Sequence, residues 1–113
     1  MKTDRELLEL AAKAAGICLD WEWDGPPDQW QPWYYEGKTL RNWNPLTDDG
    51  DALRLAVKLN IDFYLGNDDG AATFAGYFIG TVQKFAIVQH SIDPYAATRR
   101  AIVRAAAELG SQS

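Results

Sequence analysis

Leu7, Leu10, Ala11 and Ala14 recur at the three- and four-residue spacing of a helix buried along one side. Thr3 and Glu6 precede that stripe as a capping box, in which hydroxyl and carboxylate each satisfy a backbone N–H left over at a helix start. Gly16 accepts the left-handed conformation that ends a helix, so the pattern predicts a first helix over residues 3–15, with Arg5, Glu9 and Lys13 as i,i+4 neighbours on its wet side. From Ile17 the period falls to two. Ile17, Leu19, Trp21 and Trp23 alternate with Cys18, Asp20, Glu22 and Asp24, which predicts a half-buried strand that ends at Gly25-Pro26-Pro27. Residues 33–35, followed by Glu36-Gly37-Lys38, suggest a second short strand and a turn.

Thr47 or Asp48 then caps a second helix, with acids in its first turn, a buried stripe of Ala52, Leu53, Ala56 and Val57 that Leu59 can extend, and a stop near Asn60. Residues 61–65, 73–79 and 84–89 are β-branched and aromatic runs separated by turn sequences, which suits an antiparallel meander. Both alternation sets of the last two runs are apolar, so the sheet is expected to be covered on both faces. Asp93-Pro94 opens the last helix, whose core side is expected to hold Tyr95, Thr98, Ile102, Ala105, Ala106 and Leu109 before a stop at Gly110. Residues 111–113 are expected to form a disordered tail. The elements sum to one α+β domain over residues 1–110: three helices and an antiparallel sheet of three to five strands, in the order αβ(β)αβββα.

At 113 residues the chain is long enough to bury a core without a disulfide or metal staple. Its single cysteine and acidic, amphipathic start favour a cytoplasmic protein, and no apolar run approaches the roughly 20 residues of a membrane span. The net charge of −5 is uneven. Residues 1–70 hold fourteen acids against seven bases, whereas residues 71–113 hold two acids against four bases, three of them Arg99, Arg100 and Arg104. A nucleic-acid partner, which calls for a larger basic stripe, is disfavoured.

All five tryptophans fall between Trp21 and Trp43, among Tyr34, Tyr35, prolines and acids. Indoles bury much apolar area yet keep an N–H that needs a partner, so such clusters form recognition surfaces or half-wet seams. Trp21, Trp23 and Trp43 are expected to pack inside the fold. Trp30, Trp33, Tyr34 and Tyr35 are the candidate binding residues, because the last three are consecutive and cannot all point inward.

The string WNPLTDDGDALRLAVKL and the closing DPYAATRRAIVRAAAELG resemble a family of short phage and prophage proteins described as a phage α/β/α sandwich domain, and more loosely the phage NinX group. The resemblance covers about half the chain. It implies a phage or prophage origin and brings no activity and no catalytic residues.

Catalytic chemistry has one candidate pair, Cys18 and His90, as nucleophile and base, against the plainer reading of a semi-buried thiol and a strand-end imidazole. The acids Asp48, Asp49 and Asp51, like Asp68 and Asp69, lack the alternating ligand positions of a calcium loop and read as caps and turns, so no metal and no cofactor is expected. Arg100 and Arg104 share a helix face and are the candidate clamp for a phosphate or an acidic surface. The leading expectation is a non-enzymatic phage accessory protein that binds a host or phage protein, for instance to inhibit a bacterial defence system, through residues 20–43. The alternative is a nucleotide-like ligand held between stacked aromatics and Arg100 or Arg104.

Overall fold

Every helix begins where a side chain can accept from its unpaired N–H groups. In the computed structural model, which describes residues 2–21, 32–66, 71–90 and 93–112, Thr3 and Glu6 form the capping box of α1 (Asp4–Ala15). Asp48 accepts from the Asp51 N–H at 2.8 Å to start α2 (Asp49–Leu59), and Asp93 accepts from the Tyr95 N–H at 2.9 Å to start α3 (Pro94–Ser111). α1 and α2 end alike. Gly16 and Asn60 take the left-handed conformation, and the next N–H turns back onto the helix, Ile17 to the Ala12 carbonyl and Ile61 to the Ala56 carbonyl, each at 2.8 Å.

Among the described residues, five antiparallel strands complete an α+β fold in the order αββαβββα: β1 (Trp33–Glu36), β2 (Thr39–Asn42), β3 (Asp62–Gly66), β4 (Ala72–Ile79) and β5 (Val82–Gln89). β1 and β2 form a hairpin turned by Gly37 at φ 65°, while β3, β4 and β5 form a separate sheet with β4 central. The strand expected from Ile17 is a correction. Ile17, Leu19 and Trp21 do turn toward the helical core and Cys18 and Asp20 toward solvent, but the only ladder contact there is one bridge, Asp20 with Trp33. An extended segment lying over helices alternates its side chains even where it forms only a single bridge, here to the first residue of β1, so among the described residues period two holds without a continuous strand. Residues 22–24 of that prediction lie outside the described residues.

α3 is the spine of the molecule, packed on α1 and α2 along one side and on β4 and β5 along the other. Its buried set is accordingly wider than one stripe: Ala97, Ala101, Ile102, Val103, Ala105, Ala106 and Ala107. Tyr95, expected inside, is exposed. Gly110, expected as the stop, lies within the helix, which runs on to Ser111. A Cβ there would sit 1.9 Å from the Leu10 carbonyl oxygen, so this glycine serves close helix crossing rather than chain reversal. Ser111, expected in the tail, donates its hydroxyl to the Glu108 carbonyl at 2.8 Å. In α2 the buried stripe is Ala52, Leu55 and Ala56, and Leu53 and Val57 face solvent. Both sets recur at helical spacing, and periodicity alone does not choose between them.

One face of the β3–β5 sheet, carrying Thr73, Ala75, Tyr77, Ala86 and Val88, joins the core. The other face, carrying Tyr64, Phe74, Phe78, Phe85 and Ile87, is not covered by any described element, contrary to expectation: all of these but Phe74 are exposed. The rings shelter one another instead. Tyr64 stacks on Phe74 with centroids 5.1 Å apart and meets Phe85 edge-on at 6.3 Å. Phe74 and Phe85 also lie over Gly66 and Gly76, where a Cβ would come within 2.9 and 3.2 Å of the rings.

Candidate functional site

The β1–β2 hairpin holds three of the four aromatic candidates; Trp30 lies outside the described residues. Register places Tyr34 opposite Arg41 on one face, and Tyr35 opposite Leu40 on the other. Trp33 is half-buried and exchanges backbone hydrogen bonds with Asp20 at 2.7 and 3.0 Å. Trp43, directly after the hairpin, is buried in the main core, as expected. Tyr35 is 68% exposed and Leu40 45%, side by side on the outward face.

Behind that pair stands a polar network. Tyr34 donates its hydroxyl to Glu36 at 3.0 Å, Glu36 pairs with Arg41 at 3.2 Å, and Asp51 accepts from Arg54 at 2.7 Å and from the Asn44 N–H at 3.0 Å. Burial, then the hydrogen bond and charge of Glu36, push the Tyr34 hydroxyl above its ordinary pKa; the Asp51 hydrogen bond raises that of Arg54. Asn42 and the Trp43 N–H both donate to the Pro32 carbonyl, at 3.1 and 2.9 Å, which ties both sides of the hairpin base together. The exposed ring thus stands on a fixed backbone.

The candidate arginines have different fates. Arg99 is immobilised, donating to the Leu46 carbonyl at 2.9 Å and to Asp49 at 2.6 Å, and so fastens α3 to the start of α2. Arg100 pairs with Asp4 of α1 at 2.9 Å. Arg104 forms no ion pair among the described residues. Arg100 and Arg104 do share a cavity of about 420 Å³ with Lys2, Tyr77, Phe85 and Glu108. Burial, and after it the Glu108 charge, raises the Tyr77 hydroxyl pKa.

Cys18 and His90 are not brought into one cavity. Cys18 is exposed, in a shallow groove with Glu9, Lys13 and Trp21. His90 lies 2.6 Å, Nε2 to Oγ1, from buried Thr73, whose hydroxyl is 2.8 Å from that of Thr98. Thr98 gives its proton to the Pro94 carbonyl, so Thr73 donates to Thr98 and His90 Nε2–H donates to Thr73. That chain ties β4, β5 and α3 together. Among the described residues no three His, Cys, Asp or Glu side chains gather as metal ligands, and no helix is long and apolar enough to cross a membrane. Asp48, Asp49 and Asp51 each have separate duties, as a cap, a partner of Arg99 and a partner of Arg54; Asp68 and Asp69 lie outside the described residues.

One surface went unread in the sequence. Leu53 of α2, Phe63 and Leu65 of β3, and Tyr95 of α3, all exposed, surround a groove of about 330 Å³ floored by Ala52 and Ile102. The sequence pattern places Leu53 in the buried stripe of α2 and Tyr95 on the core side of α3, which hides both as surface residues. Comparison of this chain with protein-family models, with characterised proteins and with solved structures finds no match.

Proposed function

We propose that this chain is a non-enzymatic accessory protein that works in the bacterial cytoplasm by binding another protein through its β1–β2 hairpin. The observation that carries this reading is the Tyr35–Leu40 pair, exposed side by side on a hairpin fastened by the Glu36–Arg41 ion pair and the Pro32 carbonyl. A large amphipathic ring already held in place loses little freedom on binding, which is what makes tyrosine an effective anchor. Glu36, Arg41 and Arg54 lie on the opposite face of the hairpin with Tyr34, where they brace the strands that carry the pair. The phage or prophage setting, and with it the inhibition of a host defence system, rests on the sequence resemblance alone. Affinity capture from phage-infected or lysogenic bacteria tests the reading: the unsubstituted protein retains a defined protein partner that Tyr35→Ala and Leu40→Ala lose while remaining folded. Equal recovery by all three proteins contradicts it.

A second reading has its own observation, the cavity where Lys2, Arg100 and Arg104 meet Tyr77 and Phe85. A phosphate on the cations and a flat ring on the aromatics would make it a mononucleotide site. Calorimetric titration with adenosine monophosphate checks this: saturable binding weakened about tenfold or more by Arg104→Gln supports it, and absence of heat at millimolar nucleotide excludes it.

A further inference from the structure

Among the described residues nothing pairs with the outer edge of β3, and its own sequence does little to guard it. Sheets protect free edges with lysine, proline, a bulge or a covering element, because a row of unpaired N–H and C=O groups is a template for another strand. β5, the other edge of the same sheet, carries Lys84 at its centre and borders the cavity of Lys2, Arg100 and Arg104. β3 reads Asp62-Phe63-Tyr64-Leu65-Gly66, with one charge at its end, and its only strand neighbour among the described residues is β4. Phe63, Tyr64 and Leu65 are 42%, 53% and 54% exposed, so the strand is apolar and open on both faces.

We propose that two copies of this chain pair edge to edge through β3, antiparallel about a two-fold axis at Tyr64, joining two three-stranded sheets into one of six strands. The choice of a second copy over a foreign strand rests on the self-complementarity of this sequence. A two-fold at Tyr64 sets Tyr64 opposite Tyr64, Phe63 opposite Leu65, and Asp62 opposite Gly66 of the second copy. Within β3 no charge faces a charge, although each chain carries −5 overall. On one face the incoming Phe63 and Leu65 extend the apolar row that lines the groove beside Leu53 and Tyr95. On the other face Tyr64, already stacked on Phe74, meets its own copy. One pairing thus accounts for the bare edge, the exposed residues on both faces and the groove. The surface is separate from the hairpin pair Tyr35–Leu40, and the inference does not depend on the function proposed for that pair.

Sedimentation and cross-linking test it together. The unsubstituted protein is expected to sediment as a dimer, and Leu65→Lys to raise the dissociation constant about tenfold or more, while at concentrations where both proteins are monomeric their thermal melts coincide, since this side chain is half in solvent. In a Cys18→Ser background, Tyr64→Cys is expected to give a disulfide-linked dimer under mild oxidation, because directly opposed residues lie within the 4.4–6.8 Å reach of a disulfide. Phe63→Cys alone and Leu65→Cys alone should not cross-link, being diagonal to their own copies at roughly 7–8 Å, whereas an equimolar mixture of the two should. A chain that stays monomeric at about 1 mM, a dimer indifferent to Leu65→Lys, or cross-linking of Phe63→Cys alone as fast as Tyr64→Cys overturns the proposal. So does a monomer in which the β3 edge amides gain hydrogen-exchange protection only from a different protein.

Discussion

Two single residues show how local chemistry is decided by a neighbour. Gly110 sits in a helix where alanine would be preferred by about 1 kcal/mol on propensity, yet a Cβ at that position would meet the Leu10 carbonyl oxygen at 1.9 Å. Backbone cannot swing aside as a side-chain tip can, so the clash outweighs the propensity. Gly110→Ala is expected to lower the unfolding free energy by about 1–3 kcal/mol; a stabilised variant in chemical denaturation would show that α1 and α3 do not cross this closely. Tyr77 gives a pH-dependent test. Burial, then Glu108, holds its hydroxyl above the ordinary 10.0, so folding favours the neutral phenol. That contribution is intact below the unfolded value and is lost as pH rises through the raised folded value. Stability is therefore expected to fall above pH 10 less steeply in Tyr77→Phe than in the unsubstituted protein, and parallel declines in denaturant melts would contradict this.

At the level of elements, α2 offers a direct comparison between two leucines two residues apart. Leu55 is buried against the core and Leu53 borders the open groove. Leu55→Ala should cost about 2–4 kcal/mol, as should Ile102→Ala in α3, whereas Leu53→Ala should cost under about 1 kcal/mol. Similar losses for the two leucines in urea unfolding would mean that the helix is rotated from the position described. The same pair marks how far the sequence is legible. Capping residues act through bonds two or three positions away, and Thr3, Asp48 and Asp93 each stand where the local pattern places them. Buried faces depend on partners distant in sequence. Apolar residues line both sides of α2, and nothing local says that the core would take Leu55 rather than Leu53. For the same reason Ile17–Trp21 resembled a strand although among the described residues its ladder contact is the single bridge at Asp20, and β2, whose four residues are all exposed, offered no alternation to read.

Seen whole, the molecule is organised by α3, which is buried on two sides and leaves its remaining side to Arg100 and Arg104. Consecutive Trp33, Tyr34 and Tyr35 could not all point inward, and the structure resolves that conflict by leaving Tyr35 outside. The region was therefore legible as a place where rings emerge, while the ring that emerges was set by the hairpin register. The groove beside β3 was not legible, since it is built from α2, β3 and α3, which only the fold brings together. The central claim is that Tyr35 is a surface anchor on a hairpin that folds without it, in contrast to Trp43 in the core. It is tested most directly by measuring folding free energy and affinity for the captured partner in Tyr35→Ala and Trp43→Ala side by side. The account predicts that Tyr35→Ala weakens binding at least about thirtyfold with under about 0.5 kcal/mol lost in folding, while Trp43→Ala loses about 3–5 kcal/mol of folding and binds only as far as it folds. Loss of binding by Tyr35→Ala solely in proportion to unfolding would contradict it.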